Sequence, residues 1–248
     1  MRTEDLTLSA AAPRLKAAET ALFLDLDGTL APIMDRPELV GPDPRRTRLL
    51  ERLAARLAGR LAIISGRSLE DLDRILEGRA SAVAAVHGLV WRAADGQVVR
   101  TPPHPGLAHA AEELRRFAFA HAGALVEDKG LSIALHYRLA PGLAERARFQ
   151  AEALARETGL TLQPGDCVLE LRTPGPRKGE ALAAFMAEPP FRGFRPVFVG
   201  DDLTDEDGFR AARDMGGFGV LVGPRRDTVA AHRLDDVAAT LAWLEALS

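Results

Sequence analysis

The 248-residue chain has a single cysteine, few aromatic residues, no long apolar run and little excess charge. With Cys167 alone, neither an intrachain disulfide nor a cysteine-based zinc site can form. No apolar segment is long enough to span a bilayer, and an aromatic content of 5% argues against base-stacking platforms. A formal net charge of −3 creates no field that attracts nucleic acid or anionic membranes. The composition, 47% apolar and 27% charged, is that of an ordinary globular protein.

The N-terminal residues do not match a secretory signal, because Glu4 and Asp5 lie in a stretch that lacks a continuous apolar core. We therefore expect a cytoplasmic protein without membrane or nucleic-acid partners. We also expect a monomer that acts on a small molecule.

The most informative stretch is an acidic hexapeptide, Asp25-Leu26-Asp27-Gly28-Thr29-Leu30, which follows the apolar run Ala21-Leu22-Phe23-Leu24. Small-molecule sites in open α/β sheets lie at such strand ends. Because residues i and i+2 of an extended chain point to the same side, both carboxylates can face one substrate. The alternative is a polar turn in which the two aspartates have no chemical role.

A second acidic segment lies far along the chain, Gly200-Asp201-Asp202-Leu203-Thr204-Asp205-Glu206-Asp207, after the apolar run Val197-Phe198-Val199. Carboxylates this dense repel one another unless a cation is present, and oxygen ligands beside a phosphate suit Mg²⁺. If the two acidic strand ends meet, they form a magnesium site. Its predicted ligands are Asp25, Asp27, Asp201 and Asp202, with Asp205 as a further candidate. The alternative, an acidic first turn of a helix, accounts for Glu206 and Asp207 but poorly for Asp201.

Phosphoryl transfer also requires a hydrogen-bond donor and a cation for the phosphate oxygens, and Ser65 and Lys178 are the candidates. Ser65 follows an apolar strand and can donate its hydroxyl hydrogen to a phosphate oxygen. Lys178 opens a helix, where a cation is normally disfavoured, so it should face an anion and neutralise charge during transfer. With Asp25 as nucleophile and Asp27 as general acid and base, the predicted catalytic residues are Asp25, Asp27, Ser65 and Lys178. Taken singly, Ser65 could be a turn residue and Lys178 a solvated side chain.

The order of strands and helices predicts an α/β fold with an insertion. Apolar strands alternate with amphipathic helices before residue 103 and again after residue 174, which is typical of a parallel, doubly wound sheet. Between two Pro- and Gly-rich hinges the pattern changes to α+β. We therefore predict a core of residues 1–103 and 174–248, with a smaller cap domain over residues 104–173. Such an insertion is typical of a mobile lid; a rigid decoration is the alternative.

Polar residues within the predicted cap are candidates for sugar binding, because neutral sugars are held by hydrogen bonds to carboxylates, lysine and arginine. They are Glu127, Asp128, Lys129, His136, Tyr137, Arg138, Glu170 and Arg172. From spacing alone, cross-strand ion pairs on an open sheet face are the favoured explanation. His87, at a strand end before Gly88, could contact a substrate or be a satisfied core histidine.

Four motifs in order resemble those of the haloacid dehalogenase-like superfamily: Asp25-Leu26-Asp27-Gly28-Thr29, Ser65, Lys178 and Gly200-Asp201-Asp202-Leu203-Thr204-Asp205. Within that superfamily the chain is similar to the trehalose-6-phosphate phosphatase family over roughly residues 21–245. The closer match is carried by Ile64-Ser65-Gly66-Arg67, His87-Gly88, Glu127-Asp128-Lys129, Ala134-Leu135-His136-Tyr137-Arg138 and Leu169-Glu170-Leu171-Arg172. Leu26 stands where that family often has tyrosine, which leaves the catalytic positions untouched.

The resemblance implies a Rossmann-like core with a mobile cap, and Mg²⁺-dependent hydrolysis of trehalose 6-phosphate through an aspartyl phosphate. It implies that Asp201 and the main-chain carbonyl of Asp27 hold the metal. It also shifts the interpretation of the cap cluster from ion pairs to sugar contacts, and implies a free-standing phosphatase without a synthase domain. The predicted substrate-binding residues are Thr29, Arg67, His87, Glu127, Lys129, Arg138 and Glu170.

Two other functions stay open at this point. A phosphatase for another sugar phosphate, such as sucrose 6-phosphate or a glucosyl- or mannosyl-glycerate phosphate, would use the same core and differ in its cap. A non-catalytic phosphate-sensing domain would be indicated by loss of Asp25, Asp27, Lys178 or Asp201, and none of these is lost.

Overall fold

The structure, a computed structural model, describes residues 12–247, which form two compact units. The first unit contains the described residues up to Val99 and those from Pro176 onward, and the second is Arg100–Gly175. Within residues 12–247 no helix is long and apolar enough to cross a membrane. Glu4 and Asp5, on which the argument about a signal sequence rests, lie outside the described residues.

The first unit is built on an eight-stranded sheet. In spatial order its strands are β12 (His232–Leu234), β11 (Phe218–Val222), β10 (Arg195–Gly200), β1 (Thr20–Leu24), β2 (Leu61–Ile64), β3 (Ala82–Ala85), β4 (Val90–Arg92) and β5 (Val98–Arg100). Neighbouring strands from β12 to β3 are parallel, and β4 is antiparallel to β3. Ala21 to Leu24 in β1 have no exposed surface, as expected for a parallel strand covered on both faces.

Five helices accompany this sheet: α1 (Pro44–Arg56), α2 (Leu69–Leu76), α5 (Lys178–Ala187), α6 (Glu206–Asp214) and α7 (Val237–Glu245). Helix α1 begins where the Asp43 side chain accepts a hydrogen bond from the Arg46 N–H, and α2 where Ser68 accepts from the Asp71 N–H. These caps satisfy N–H groups that have no partner inside the helix. The sequence therefore specifies both helix starts locally.

An aromatic cluster packs α5 against the central strand. The Phe23 ring on β1 lies 5.4 Å from Phe191 and 6.1 Å from Phe185 on α5, measured between centroids. Phe198 on β10 contacts Phe209 on α6 edge to face at 5.7 Å. All these rings are buried, so the cluster fixes both helices on the strands whose ends carry the acidic motifs.

The second unit is a separate α+β structure. Its four antiparallel strands lie in the order β6 (Leu125–Asp128), β7 (Ser132–His136), β9 (Val168–Arg172) and β8 (Thr161–Gly165), accompanied by α3 (Leu107–Ala120) and α4 (Ala144–Thr158). Leu114 and Leu154 from the helices share a core with Ile133, Leu135 and Leu171 from the strands. The predicted fold class, a parallel α/β core with an inserted α+β unit, is confirmed.

Replacing Phe185 by alanine should destabilise the first unit strongly, because its ring is 1% exposed and touches Phe23, Phe191 and Trp91. The expected loss is about 3–5 kcal/mol of unfolding free energy, measured by urea titration. Phe119→Ala is the matched control, since that ring is 97% exposed and its loss should stay within about 0.5 kcal/mol. Equal losses in the two variants would contradict this account of the core.

Candidate active site

The two acidic motifs meet at one edge of the eight-stranded sheet. Strands β1 and β10 are parallel neighbours, with Leu24 opposite Val199, so the residues that follow them lie side by side. The Asp25 N–H donates to the Val199 carbonyl over 2.9 Å. Ligand oxygens of Asp25, Asp201 and Asp205 lie within 4.8 Å of one another. The predicted meeting of the two strand ends is therefore present in the structure.

Lys178, the first residue of α5, is buried among these carboxylates. Its ammonium donates to Asp25 Oδ2 over 2.8 Å and to Asp205 Oδ1 over 2.6 Å. Burial alone would lower the pKa of Lys178, but the charges of Asp205 and Asp25 outweigh it and raise the pKa above its ordinary value. Lys178 therefore stays positively charged, and carboxylates face it at the helix start, where the sequence led us to expect an anion.

The carboxylates outnumber the cation at this edge, and their pKa values reflect it. Burial, together with the charges of Asp205 and Asp27, raises the pKa of Asp25 to about 7, against the lowering effect of Lys178. Burial and the charges of Asp205 and Asp25 raise the pKa of Asp201 to about 9. The site therefore has less positive charge than its carboxylates require. Because the metal-binding atoms that these residues offer are all oxygens, they fit a hard divalent cation.

Asp205 organises the acidic loop from within. Its Oδ2 accepts hydrogen bonds from the N–H groups of Asp201, over 2.9 Å, and Asp202, over 3.0 Å, while its Oδ1 binds Lys178. The Asp202 carboxylate accepts from the Leu203 N–H over 2.7 Å. Of the four predicted metal ligands, the cluster includes the side chains of Asp25 and Asp201; those of Asp27 and Asp202 are bound elsewhere, and Asp205 takes the third place.

The loop after Asp25 depends on a glycine. Gly28 has a φ of +72°, and a β-carbon there would lie 2.0 Å from Asp201 Oδ2. The loop can therefore pack against the Asp201 carboxylate only without a side chain at this position. Beside it, the buried Thr29 hydroxyl donates to Asp201 Oδ1 over 3.4 Å.

Ser65 and His87 flank the same edge on the other side of β1. Ser65 follows β2, is 1% exposed, and its carbonyl accepts the His87 N–H over 2.9 Å. The imidazole covers Gly66 so closely that a β-carbon there would lie 2.5 Å from Nε2. Val86 and His87 have φ values of 47° and 59°, a left-handed conformation that is costly for a β-branched residue. The strain is located where the predicted phosphate-binding serine is held.

Arg67, a predicted substrate contact, is bound instead to Asp27. Its Nε and Nη2 donate to the two carboxylate oxygens of Asp27 over 2.7 and 2.8 Å, and its Nη1 donates to the Pro37 carbonyl over 3.0 Å and to Asp71. Burial would lower the pKa of Arg67, but its bonds to Asp27 and Asp71 raise it. The guanidinium thus joins the loop after β1, at Asp27 and Pro37, to the start of α2.

Sequence reasoning missed a second arginine, Arg226, which supports the acidic loop. Its Nη2 donates to the main-chain carbonyls of Asp202, over 2.8 Å, and Asp201, over 3.3 Å, and its Nη1 to Glu206. Glu206 in turn accepts the Val229 N–H over 3.0 Å. Arg226 lies in a loop, where no periodicity or motif distinguishes it from other surface arginines.

The second unit brings three predicted sugar contacts together on one sheet. Glu127 and Glu170 are both register partners of Ala134, so their strands flank β7. Lys129 Nζ lies 3.2 Å from Glu170 and 3.9 Å from Glu127. Burial raises the pKa of Glu127, but Lys129 and His136 outweigh it and lower the pKa below its ordinary range.

Two further residues complete this polar group, which we call the cap cluster: Glu127, Lys129, Ser132, His136 and Glu170. Ser132, which sequence reasoning did not single out, donates to Glu170, and His136 lies 2.8 Å from Glu127. Strand alternation placed Ser132 on the same face as Ala134 and His136, which was the available signal. Arg138 lies outside the cap cluster and donates to Asp166 over 2.9 Å.

The sequence of this chain is similar to those of known proteins. The Trehalose-phosphatase family model matches residues 23–238. Trehalose-6-phosphate phosphatase of Escherichia coli (strain K12) is 39% identical over 248 aligned residues, which cover 99% of this chain and 91% of that protein.

Solved structures give the same fold. The C-terminal domain of C. albicans trehalose-6-phosphate phosphatase has a TM-score of 0.79 at 24% identity, with 92% of each chain covered. A phosphatase of the haloalkanoate (HAD) superfamily from Bacteroides thetaiotaomicron has a TM-score of 0.63 at 19% identity, covering 95% of this chain and 96% of that one. The family match runs from β1 into α7 and includes both acidic strand ends, and the chain belongs to the trehalose-phosphatase family.

Proposed function

We propose that this protein is a Mg²⁺-dependent phosphatase that hydrolyses trehalose 6-phosphate to trehalose and phosphate, through an aspartyl phosphate on Asp25. The observation that carries the proposal is the buried Asp25–Lys178–Asp205 arrangement beside Asp201, at a strand edge that lies within the residues matched by the family model. We also propose that it acts as a cytoplasmic monomer.

Asp25 is oriented to act as the nucleophile. The Leu26 N–H donates to its Oδ1 over 2.7 Å and Lys178 holds its Oδ2. In the first step an Asp25 oxygen bonds to phosphorus, the bond from phosphorus to the sugar oxygen breaks, and Asp27 gives that oxygen a proton. In the second step water attacks phosphorus, gives its proton to Asp27, and phosphate leaves Asp25. Ser65 and Lys178 stabilise the phosphoryl oxygens throughout.

Asp25 and Asp201 are the residues that would hold Mg²⁺, and the Asp205 and Arg226 hydrogen bonds would keep their loop in shape. When bound, the ion supplies a positive charge that screens the carboxylates from the phosphate. Without that charge, Asp25 and Asp201 repel both each other and an anionic substrate.

Selection of the sugar is proposed for residues 104–173 and, within them, for the cap cluster. Its carboxylates accept from sugar hydroxyls and Lys129 donates to them, which suits a neutral disaccharide. Thr29, His87 and Arg138 stay predicted substrate contacts. A phosphatase for another sugar phosphate would keep the same core chemistry, and is an outcome of the first experiment below.

Phosphate release from a panel of esters tests the proposal. The panel contains trehalose 6-phosphate, sucrose 6-phosphate, glucose 6-phosphate and glucosylglycerate phosphate, each assayed with Mg²⁺ and with chelator. We expect trehalose 6-phosphate to be preferred, activity to disappear with chelator, and Asp25→Asn to lose on the order of 10³-fold or more in kcat. Preference for another ester would overturn the substrate, and no release from any ester would favour a phosphate-sensing domain.

Asp201→Asn should weaken Mg²⁺ binding by about tenfold or more, because it removes a charged oxygen ligand. Isothermal titration calorimetry with MgCl₂ on the protein without substrate measures this directly. Asp202→Asn is the matched control, because the Asp202 carboxylate accepts a hydrogen bond from the Leu203 N–H. The Mg²⁺ affinity of this variant should change much less. If both variants lose affinity equally, Asp202 also holds the cation.

Lys129→Ala and Glu170→Ala should lower kcat/KM for trehalose 6-phosphate by about 100-fold while changing that for p-nitrophenyl phosphate by less than about threefold. Only the sugar would use the cap cluster. Arg115→Ala, which removes an exposed ion pair with Asp128 in the same unit, should leave both substrates unaffected. Equal losses on both substrates would remove the argument for sugar recognition.

A further inference from the structure

Arg67 is buried and its hydrogen-bonding capacity is nearly used up inside the protein. Its side chain is 7% exposed. Four of the five guanidinium N–H groups donate to Asp27, Asp71 and the Pro37 carbonyl. One guanidinium N–H therefore remains for any other acceptor. The geometry therefore assigns Arg67 a different role from the substrate contact that the sequence predicts.

The partner that matters most is Asp27, whose two oxygens both accept from Arg67 in a fork-to-fork arrangement. Such a pair fixes the plane of a carboxylate as well as its position. The other end of the guanidinium is held by Asp71, on the first turn of α2, and by Pro37, in the loop that follows β1. Arg67 thus ties Asp27 to the first turn of α2 and to a point further along the loop after β1.

Asp27 needs such a support, because nothing in its own segment provides one. It lies between the end of β1 and Gly28, whose φ of +72° turns the chain. Its side chain is 35% exposed, and its carboxylate stands apart from the Asp25, Asp201 and Asp205 cluster. Proton transfer requires a heavy-atom distance of about 2.6–3.2 Å to the leaving oxygen, which a freely rotating carboxylate would seldom keep.

We propose that Arg67 is a positioning residue that orients Asp27 for proton transfer to the leaving group, and that it is not a substrate contact. This rests on the proposed phosphatase function and deepens it. The two Arg67 bonds use one lone pair on each Asp27 oxygen, so a second lone pair remains to carry the proton that goes to the sugar oxygen and that the attacking water later returns. The role requires arginine, because one lysine ammonium cannot bind both Asp27 oxygens and the Pro37 carbonyl in a single plane.

The dependence of the rate on the leaving group distinguishes orientation of the proton donor Asp27 from phosphate binding by Arg67. An alkoxide needs a proton as it departs, whereas p-nitrophenolate is stable without one. The value of kcat/KM reports only the steps up to departure of the leaving group, so later breakdown of the intermediate does not affect it. The experiment measures kcat/KM for trehalose 6-phosphate and for a series of substituted phenyl phosphates, and plots it against leaving-group pKa.

Arg67→Met should lose on the order of 100-fold on trehalose 6-phosphate and less than about tenfold on p-nitrophenyl phosphate. Its plot should become steeper, as should that of Asp27→Asn, which lacks the proton donor. Arg67→Lys keeps the positive charge and serves as the second variant if Arg67→Met folds poorly. Its plot of kcat/KM against leaving-group pKa should also be steeper than that of the wild-type enzyme. In Arg67→Ala, added guanidinium at non-denaturing concentration should restore the slow alkyl ester more than the fast aryl ester.

Arg74→Met is the matched control, because Arg74 also donates to Asp71, and to the Val40 carbonyl, but not to Asp27. Its slope should equal that of wild type. Parallel losses on all esters in the Arg67 variants would show phosphate binding or general damage and overturn the proposal, as would no loss at all. A wild-type enzyme active on aryl esters but not on trehalose 6-phosphate would overturn the substrate assignment alone, since the aryl slopes still test Arg67.

Discussion

The buried ion pairs of Lys178 are the interaction on which this active site depends. A fully buried ammonium is tolerated only when carboxylates surround it, and here Asp25 and Asp205 do so from two different strand ends. The same contacts place Asp25, the proposed nucleophile, fix the start of α5 and hold the acidic loop through the Asp205 hydrogen bonds to its N–H groups. Removing Lys178 would leave two buried carboxylates without their cation, so the position of Asp25 and its charge balance depend on the same contacts.

Two arginines form a supporting layer behind these residues. Arg67 binds the Asp27 carboxylate, and Arg226 binds the main-chain carbonyls of Asp201 and Asp202. Because each guanidinium is hydrogen-bonded to protein oxygens, fewer cations are available to bind a phosphate than the sequence suggests. The remaining deficit of positive charge at Asp25 and Asp201 is what a divalent cation would offset.

Chemistry and selectivity are assigned to separate units of this chain. The reacting groups come from strand ends and a helix start of the parallel sheet, where the backbone holds them rigidly. The cap cluster lies on an antiparallel sheet, whose side chains can change without disturbing the hydrogen bonds between strands. A phosphatase for another sugar phosphate, one of the alternatives that the sequence left open, would therefore differ from this protein in its second unit and keep the same core.

The sequence by itself determined the α/β core and the inserted unit, because apolar runs and helix caps are local properties. The sequence raised the meeting of Asp25 and Asp201 as the condition for a metal site, and the structure fulfils it because β1 and β10 are parallel neighbours. Only the tertiary structure decided that Asp205 joins them, that Asp27 binds Arg67 and that Arg226 supports the acidic loop. Those are contacts between segments distant in the chain, and a charged residue's type does not reveal its partner.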